Sequence, residues 1–350
     1  MPVPVLAAGD HFVLPSLLAD AVRAEVPDEL DVRELTLPWP LQPFGRLAEV
    51  DEASGDEDTM IEALAGVRVC LTEMGPLTTR ILDACPDLEL FCVSRGGPVN
   101  ANVAAATEHG VAVSYAPGRN AAATAEHTVS LILAVTRRVP ELHAELRHGN
   151  WRGDYYTYDN SGIELDGATV GLVGFGAIGS RVARMVRAFG ADVVVHDPYV
   201  PADAVAGIAE PVSLDELLAR SRVVSLHSRL TDETRQMIGR AQIAAMPPGS
   251  VLVNCARGGL VDYDAVCDAL EDGHLFGAGL DVFPDEPIPA GSRLLTVPNA
   301  VITPHVAGAS RQTAHKAARI VAGDVGRFLR GEPLAHCANP EVLDRKRGSR

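Results

Sequence analysis

Aromatic residues are scarce in this 350-residue chain, at 5%, with only two tryptophans. Positive charge is short as well: 30 Lys and Arg stand against 46 Asp and Glu, for a formal net charge of −16. Proteins that bind nucleic acid neutralise phosphates with a basic surplus, so this balance argues against such a partner. Long hydrophobic runs are missing. Leu131-Ile-Leu-Ala-Val135 is broken at once by Thr136, Arg137 and Arg138, and no run approaches the roughly 20 residues needed to cross a bilayer. Met1 to Asp10 places no basic cluster ahead of its apolar residues, so neither a secretory signal nor a membrane partner is expected. The six cysteines (Cys70, Cys85, Cys92, Cys255, Cys267 and Cys337) form no CxxC pair and lie mostly in apolar segments. Reduced core thiols in a cytoplasmic protein are the expectation, with no structural metal site.

What is present is ordinary for a folded chain: 47% hydrophobic and 22% charged residues. At roughly 150 residues per domain the length suggests two domains. Short apolar runs at Val67–Leu71, Leu88–Val93 and Val111–Ser114 read as buried strands. A helical pattern over Val99–His109 stops at Gly110, and this β/α alternation implies a parallel sheet. Leu37–Phe44 and Asp51–Asp58 read as surface loops. A long helix is expected from Ala121 to about Arg138. It is followed by a segment, Trp151 to Tyr158, that packs four of the chain's eight Trp and Tyr residues into eight positions. A second β/α series begins at Thr169–Val173. It continues through Asp192–Val195, Val223–Leu226, Val251–Asn254, Gly277–Val282 and Ala300–Thr303. Ser310–Arg330 is helical, and the polar tail Asp344–Arg350 is expected to be disordered.

Gly174-Phe-Gly176-Ala177-Ile178-Gly179 is a GxGxxG. Alone it is a weak signal in a chain with 32 glycines, but here it follows an apolar strand and opens a helical run that ends at Gly190. The next strand ends in His196 and Asp197, and Asp197 stands 21 positions after Gly176. That is the pattern of a dinucleotide-binding βαβ unit. Gly174 permits the tight turn, Gly176 lets backbone approach a pyrophosphate, and Gly179 lets helix and strand pack closely. Helix N–H groups then face the phosphates. Asp197 accepts hydrogen bonds from a ribose and repels a 2′-phosphate, which favours NAD over NADP.

Three later segments sit at strand ends, where open α/β sheets bind ligands: Asn254-Cys-Ala256-Arg257-Gly-Gly, Asp281-Val-Phe-Pro-Asp-Glu286-Pro, and Thr303-Pro-His305. Together with the glycine motif, and in this order, they resemble the D-isomer-specific 2-hydroxyacid dehydrogenase family, which includes the D-3-phosphoglycerate dehydrogenases. The match covers roughly residues 65 to 330. The resemblance implies a fold of two Rossmann-like α/β domains with a cleft between them. A flavodoxin-like substrate domain (residues 1–118 and 309–350) is interrupted by an NAD-binding Rossmann domain (residues 119–308). It also implies transfer of a hydride between NAD(H) and C2 of a D-2-hydroxy or 2-oxo acid, in a homodimer. The long helix from Ala121 and the Trp151 segment are then the expected dimer contacts. The additional C-terminal regulatory domain of some phosphoglycerate dehydrogenases is not expected within these 350 residues.

Under this resemblance His305 is the acid/base, since imidazole exchanges protons near neutral pH, and Glu286 is the carboxylate that orients it. Arg257 supplies a guanidinium fork for the substrate carboxylate. Asp281 corresponds to the acid that holds the nicotinamide carboxamide, and His227 and Ala256 stand beside the cofactor. Arg229 stands where the family often has proline. Ser94-Arg95-Gly96-Gly97 corresponds to the glycine loop whose N–H groups bind the substrate carboxylate. Arg95 and Arg119 are added cations. If they face the substrate with Arg257, they suit one bearing a second anionic group, such as a phosphate, phosphonate or carboxylate. Two other readings share the scaffold: a phosphite-type dehydrogenase, and an NAD-binding protein resembling transcriptional corepressors.

Overall fold

The computed structural model describes residues 2–26, 30–40 and 45–343. The chain forms two compact units, Met1–Asn120 with Ala309–Arg350, and Ala121–Gly308. The first boundary falls two residues beyond the one drawn from the sequence. Arg119 lies in the first unit, where its guanidinium pairs with Glu73 at 2.7 Å.

The first unit is built on five parallel strands: β1 (Val3–Gly9), β2 (Leu30–Thr36), β3 (Val69–Thr72), β4 (Leu90–Val93) and β5 (Ala112–Tyr115). Their order is β2-β1-β3-β4-β5. β3 and β4 are buried at every position, as strands sandwiched between helices must be. The period of two sorts the side chains. Val5, Ala7, Val69 and Leu71 pack with Leu18, Val22, Ala317 and Val321, while Leu6, Cys70 and Phe91 pack with Met60, Leu64 and Ile81. Neither β1 nor β2 is among the strands expected from the sequence. β2 is a charged edge strand, with Asp31, Arg33 and Glu34 in a half-exposed pattern, so it lacks the apolar run that marks a buried strand.

The second unit carries β6 (Thr169–Val173), β7 (Asp192–His196), β8 (Glu210–Pro211), β9 (Val223–Leu226), β10 (Ser250–Asn254), β11 (Leu275–Leu280) and β12 (Ala300–Ile302). All pairings are parallel, in the order β12-β11-β10-β9-β6-β7-β8. The order reverses between β6 and β9. In doubly wound sheets ligands bind beyond the strand ends at such a switch point.

Three expectations change in detail. The long helix is two helices, Ala121–Thr136 and Val139–Arg147, separated by Arg138 in a left-handed conformation (φ 53°). Pro140 has no N–H and its ring would strike the preceding turn, so the first helix cannot run through it. The Arg138 side chain braces the break by binding both Glu141 carboxylate oxygens, at 2.6 and 2.8 Å. The helix drawn over Val99–His109 starts only at Val103, where Asn102 caps it through the Ala105 N–H. Of the two expected surface loops, Leu37 is fully buried, and Asp56 caps the helix Glu57–Leu64 through the Thr59 N–H. Residues 41–44 and the tail 344–350 lie outside the described residues.

The last described segment is tied into the first unit by buried polar groups. The Asn339 amide accepts from the Val113 N–H (2.8 Å) and donates to the Val111 carbonyl (2.9 Å) and the Thr107 hydroxyl (3.0 Å). Asp324, also buried, accepts from Ser114 Oγ and the Ala335 N–H. Replacing Asn339 with alanine strands the Val113 N–H and Val111 carbonyl. The unfolding free energy should fall by about 2 to 3 kcal/mol, read as a lower urea midpoint with an unchanged slope.

Candidate active site

The glycine motif of the second unit joins β6 to the helix Gly179–Ala188. Gly174 has φ +103°, and a Cβ there would lie 2.8 Å from the His227 carbonyl carbon. A Cβ on Gly179 would lie 2.2 Å from the Gly174 carbonyl oxygen, so the close approach is between the two ends of the turn itself. Gly176 has open space where its Cβ would be, and Ala177 beside it is exposed. Ile178 leads into the helix and packs partly against the core beneath. The exposed surface of this turn therefore fits a pyrophosphate held by backbone at a helix start. Asp197, just past β7, accepts from the Phe175 N–H at 2.7 Å and the Tyr199 N–H at 3.0 Å. The carboxylate braces the glycine turn and edges a hollow lined by Val195, His196, Pro198, Val200 and Val212. This hollow has the mixed polar and apolar walls that an adenosine needs.

His227 follows β9. Its N–H donates to the Val173 carbonyl at 2.8 Å, and its Nε2 meets Ser225 Oγ at 3.0 Å. Loss of water lowers its pKa to about 4, so the ring is neutral at physiological pH. Arg229, two residues on, is exposed.

Arg257 sits on a turn after β10 that Asn254 holds from beneath. The Asn254 side chain donates to the Arg257 carbonyl (2.9 Å) and accepts from the Ala256 N–H (3.0 Å). The Arg257 side chain is exposed, and no carboxylate pairs with it among the described residues. Its Nη1 donates to the Ala256 carbonyl at 2.7 Å.

His305 follows β12. Its Nδ1 lies 2.7 Å from Glu286 Oε2, while Glu286 Oε1 accepts from the Phe283 N–H at 2.9 Å. With Nδ1 held, Nε2 is the nitrogen left to exchange a proton with a ligand. The His305 backbone is left-handed (φ 54°), a strained state for a non-glycine residue that the surroundings must enforce. Asp281 enforces it. The buried carboxylate accepts from Thr303 Oγ1 (2.5 Å), the Val306 N–H (2.9 Å) and the Ala307 N–H (2.9 Å). His127, on the helix Ala121–Thr136, adds Nε2 at 3.0 Å from Thr303 Oγ1. Thus Asp281, expected to hold a cofactor amide, is engaged here in locking the histidine loop. His127 carries no sequence signal, because a histidine 178 positions before His305 gives no hint of sharing its loop.

In the first unit, Ser94-Arg95-Gly96-Gly97 directly follows β4, and Gly96 and Gly97 border open space. The two added cations are not spare. Arg95 pairs with the Glu52 carboxylate and donates to the Glu52 carbonyl at 3.1 Å. Arg119 pairs with Glu73 and lies over the Phe12 ring, 5.8 Å from its centroid. Sequence reasoning missed both glutamates, which lie 43 and 46 residues from their partners. Burial pushes the Glu73 carboxyl up to about 7 against the opposing pull of Arg119. The expected surplus of positive charge for a second anion is therefore offset.

Residues 129–307 match the family described as D-isomer specific 2-hydroxyacid dehydrogenase, NAD binding domain. A D-3-phosphoglycerate dehydrogenase of Methanocaldococcus jannaschii is 37% identical over 86% of this chain and 58% of its own length. The chain thus spans a little under three-fifths of such relatives. A glyoxylate reductase of Korarchaeum cryptofilum is 36% identical over 84% of this chain and 89% of its own. Among solved structures, a Thermus thermophilus protein superposes with a TM-score of 0.78 at 33% identity, covering 96% of this chain and all of that one.

The Gly179–Gly174 contact leaves no room for a methyl group. Gly179→Ala should weaken NADH binding at least tenfold in a fluorescence titration, with the first unit's unfolding unchanged.

Proposed function

Since the chain belongs to the D-isomer specific 2-hydroxyacid dehydrogenase family, we propose that it interconverts a D-2-hydroxy acid and the corresponding 2-oxo acid with NAD. The observation that carries this reading is the His305–Glu286 pair at 2.7 Å, on a loop fixed by Asp281. When bound, NAD supplies or accepts the hydride at C2. Gly174, Gly176, Ala177, Ile178 and Gly179 would hold its pyrophosphate, and Asp197 its ribose.

The chain's own groups do the rest. In the reducing direction His305 gives its Nε2 proton to the oxygen at C2, and in the oxidising direction it takes that proton back. Glu286 on Nδ1 fixes the ring's orientation. Arg257 binds the substrate carboxylate with its guanidinium fork. The N–H groups of Gly96 and Gly97 are offered to the same class of anion. All six cysteines are free and five of them are buried, which fits a reducing cytoplasm, and no helix among the described residues is long and apolar enough to cross a membrane.

We also propose a homodimer. Val139 and Leu146 on the helix Val139–Arg147, with Trp151, Tyr156 and Tyr158 after it, are all more than half exposed. That helix buries no residue of its own chain. So much large apolar surface in one stretch of sequence is the mark of an interface. Leu146→Asp with Trp151→Ser should move the protein from dimer to monomer mass in light scattering. An unchanged mass would place the interface elsewhere.

His305→Ala should lower kcat by about 10² to 10⁴, the usual contribution of a positioned acid/base, with NADH affinity unchanged. Arg257→Ala should raise KM and lower kcat together. Near-normal turnover of His305→Ala would remove the histidine from the mechanism.

A further inference from the structure

Tyr263 stands between two loops of the site in the second unit. It opens the helix Tyr263–Glu271, which Asp262 caps by accepting from the Asp264 and Ala265 N–H groups, both at 3.1 Å. The side chain is only 7% exposed, and its ring is tilted against Phe283 with the centroids 6.1 Å apart. Its hydroxyl accepts from Asn254 Nδ2 at 3.2 Å and donates to the Val282 carbonyl. Both partners lead to residues of the site. Asn254 ends β10, and its other bonds hold the turn that carries Arg257, through the Arg257 carbonyl and the Ala256 N–H. Val282 precedes Phe283, whose N–H anchors Glu286 Oε1, and Glu286 Oε2 holds His305 Nδ1. β10 and β11 are neighbours, with Asn254 opposite Leu280. A second contact joins the same loops, since a Cβ on Gly258 would strike the Phe283 carbonyl. All of these groups lie within Ala121–Gly308. One phenol oxygen therefore ties the Arg257 turn to the Glu286 loop.

The chemistry of the two partners selects the group between them. The Val282 carbonyl can only accept and Asn254 Nδ2 can only donate, so the bridging group must do both. A hydroxyl does. Burial pushes the phenol's pKa up, so it keeps the proton that Val282 needs. Phenylalanine would fill the same space and do neither. It would leave a buried carbonyl and a buried amide hydrogen unpaired, one on each loop, and each loop would be freed to relax. The helix itself has no need of the hydroxyl, because Asp262 already caps it.

We propose that Tyr263 is a positioning residue whose hydroxyl holds the Arg257 turn in place against the Glu286–His305 pair, so that carboxylate binding and proton transfer act on one substrate. This rests on the dehydrogenase reading above and adds a residue that acts through Asn254 and Val282.

Tyr263→Phe keeps the ring and removes only the hydroxyl. With glyoxylate or pyruvate under NADH, KM should rise and kcat fall, for a loss of about tenfold in kcat/KM. NADH affinity, read by fluorescence titration, should stay unchanged. Asn254→Asp keeps the acceptor for the Ala256 N–H and removes both donors. Because the two changes cut one path, the double variant should turn over no more slowly than Asn254→Asp alone. A loss below about threefold in Tyr263→Phe, or losses that multiply in the double variant, would overturn the proposal and leave the hydroxyl a purely structural role. Turnover of neither acid by the wild type would instead sink the dehydrogenase reading. Backbone amide resonances then decide the bridge alone. The Ala256 resonance should move in Tyr263→Phe and the Phe283 resonance in Asn254→Asp, with Val306 and Ala307 unmoved in both. An unmoved Ala256 in the first variant, or an unmoved Phe283 in the second, overturns it.

Discussion

The carboxylate of Asp281 is the point on which the second unit's histidine loop turns. Three hydrogen bonds, from the Thr303 hydroxyl and the Val306 and Ala307 N–H groups, converge on one buried side chain. They hold a loop whose central residue, His305, would not choose its own backbone conformation. Once that loop is fixed, Glu286 needs only to be anchored at the Phe283 N–H to meet the imidazole. The pair is thus assembled from neighbouring strand ends, β11 and β12, with Arg257 following β10 beside them, and the parallel register delivers all three C-terminal loops to one side of the sheet. These three groups meet there because a parallel sheet gathers loops from distant sequence at one edge.

Much of this frame is legible in the amino-acid sequence. β6 and β9 coincide with the apolar runs read as strands, β7, β10 and β12 differ from theirs by one residue at one end, and β11 begins and ends two residues earlier than expected. Fully buried strands write themselves as continuous apolar runs. The glycine motif, Asp197, Arg257, Glu286 and His305 are local patterns at strand ends and are visible for that reason. β2 was hidden by its charges, and the break at Arg138 by a helical pattern that runs past it. The partners of Arg95 and Arg119 were invisible for a different reason. An arginine advertises a charge in the sequence, but whether that charge is spare depends on a carboxylate more than 40 residues away.

The two arginines show why counting cations is a poor guide to ligand charge. Each looked like a free positive group, and each proves to be half of a pair formed within its own unit. Glu73 is the more telling partner, since burial raises its pKa while Arg119 pulls it down. A carboxyl balanced in this way near neutrality can present either an acceptor or a donor.

The attachment of the last described segment has a consequence for how the chain is made. The first unit is not complete at Asn120. The helix Arg311–Leu329 packs against the helix Pro15–Glu25, and Asn339 closes hydrogen bonds at β5. A ribosome must therefore release the chain as far as Asn339 before the first unit can finish its core, whereas everything in Ala121–Gly308 has by then emerged. The first unit's core is therefore completed only after the second unit has emerged. During synthesis the apolar face of its sheet that waits for Ala317, Val321 and Val325 stays uncovered for as long as it takes to translate the whole of the other unit.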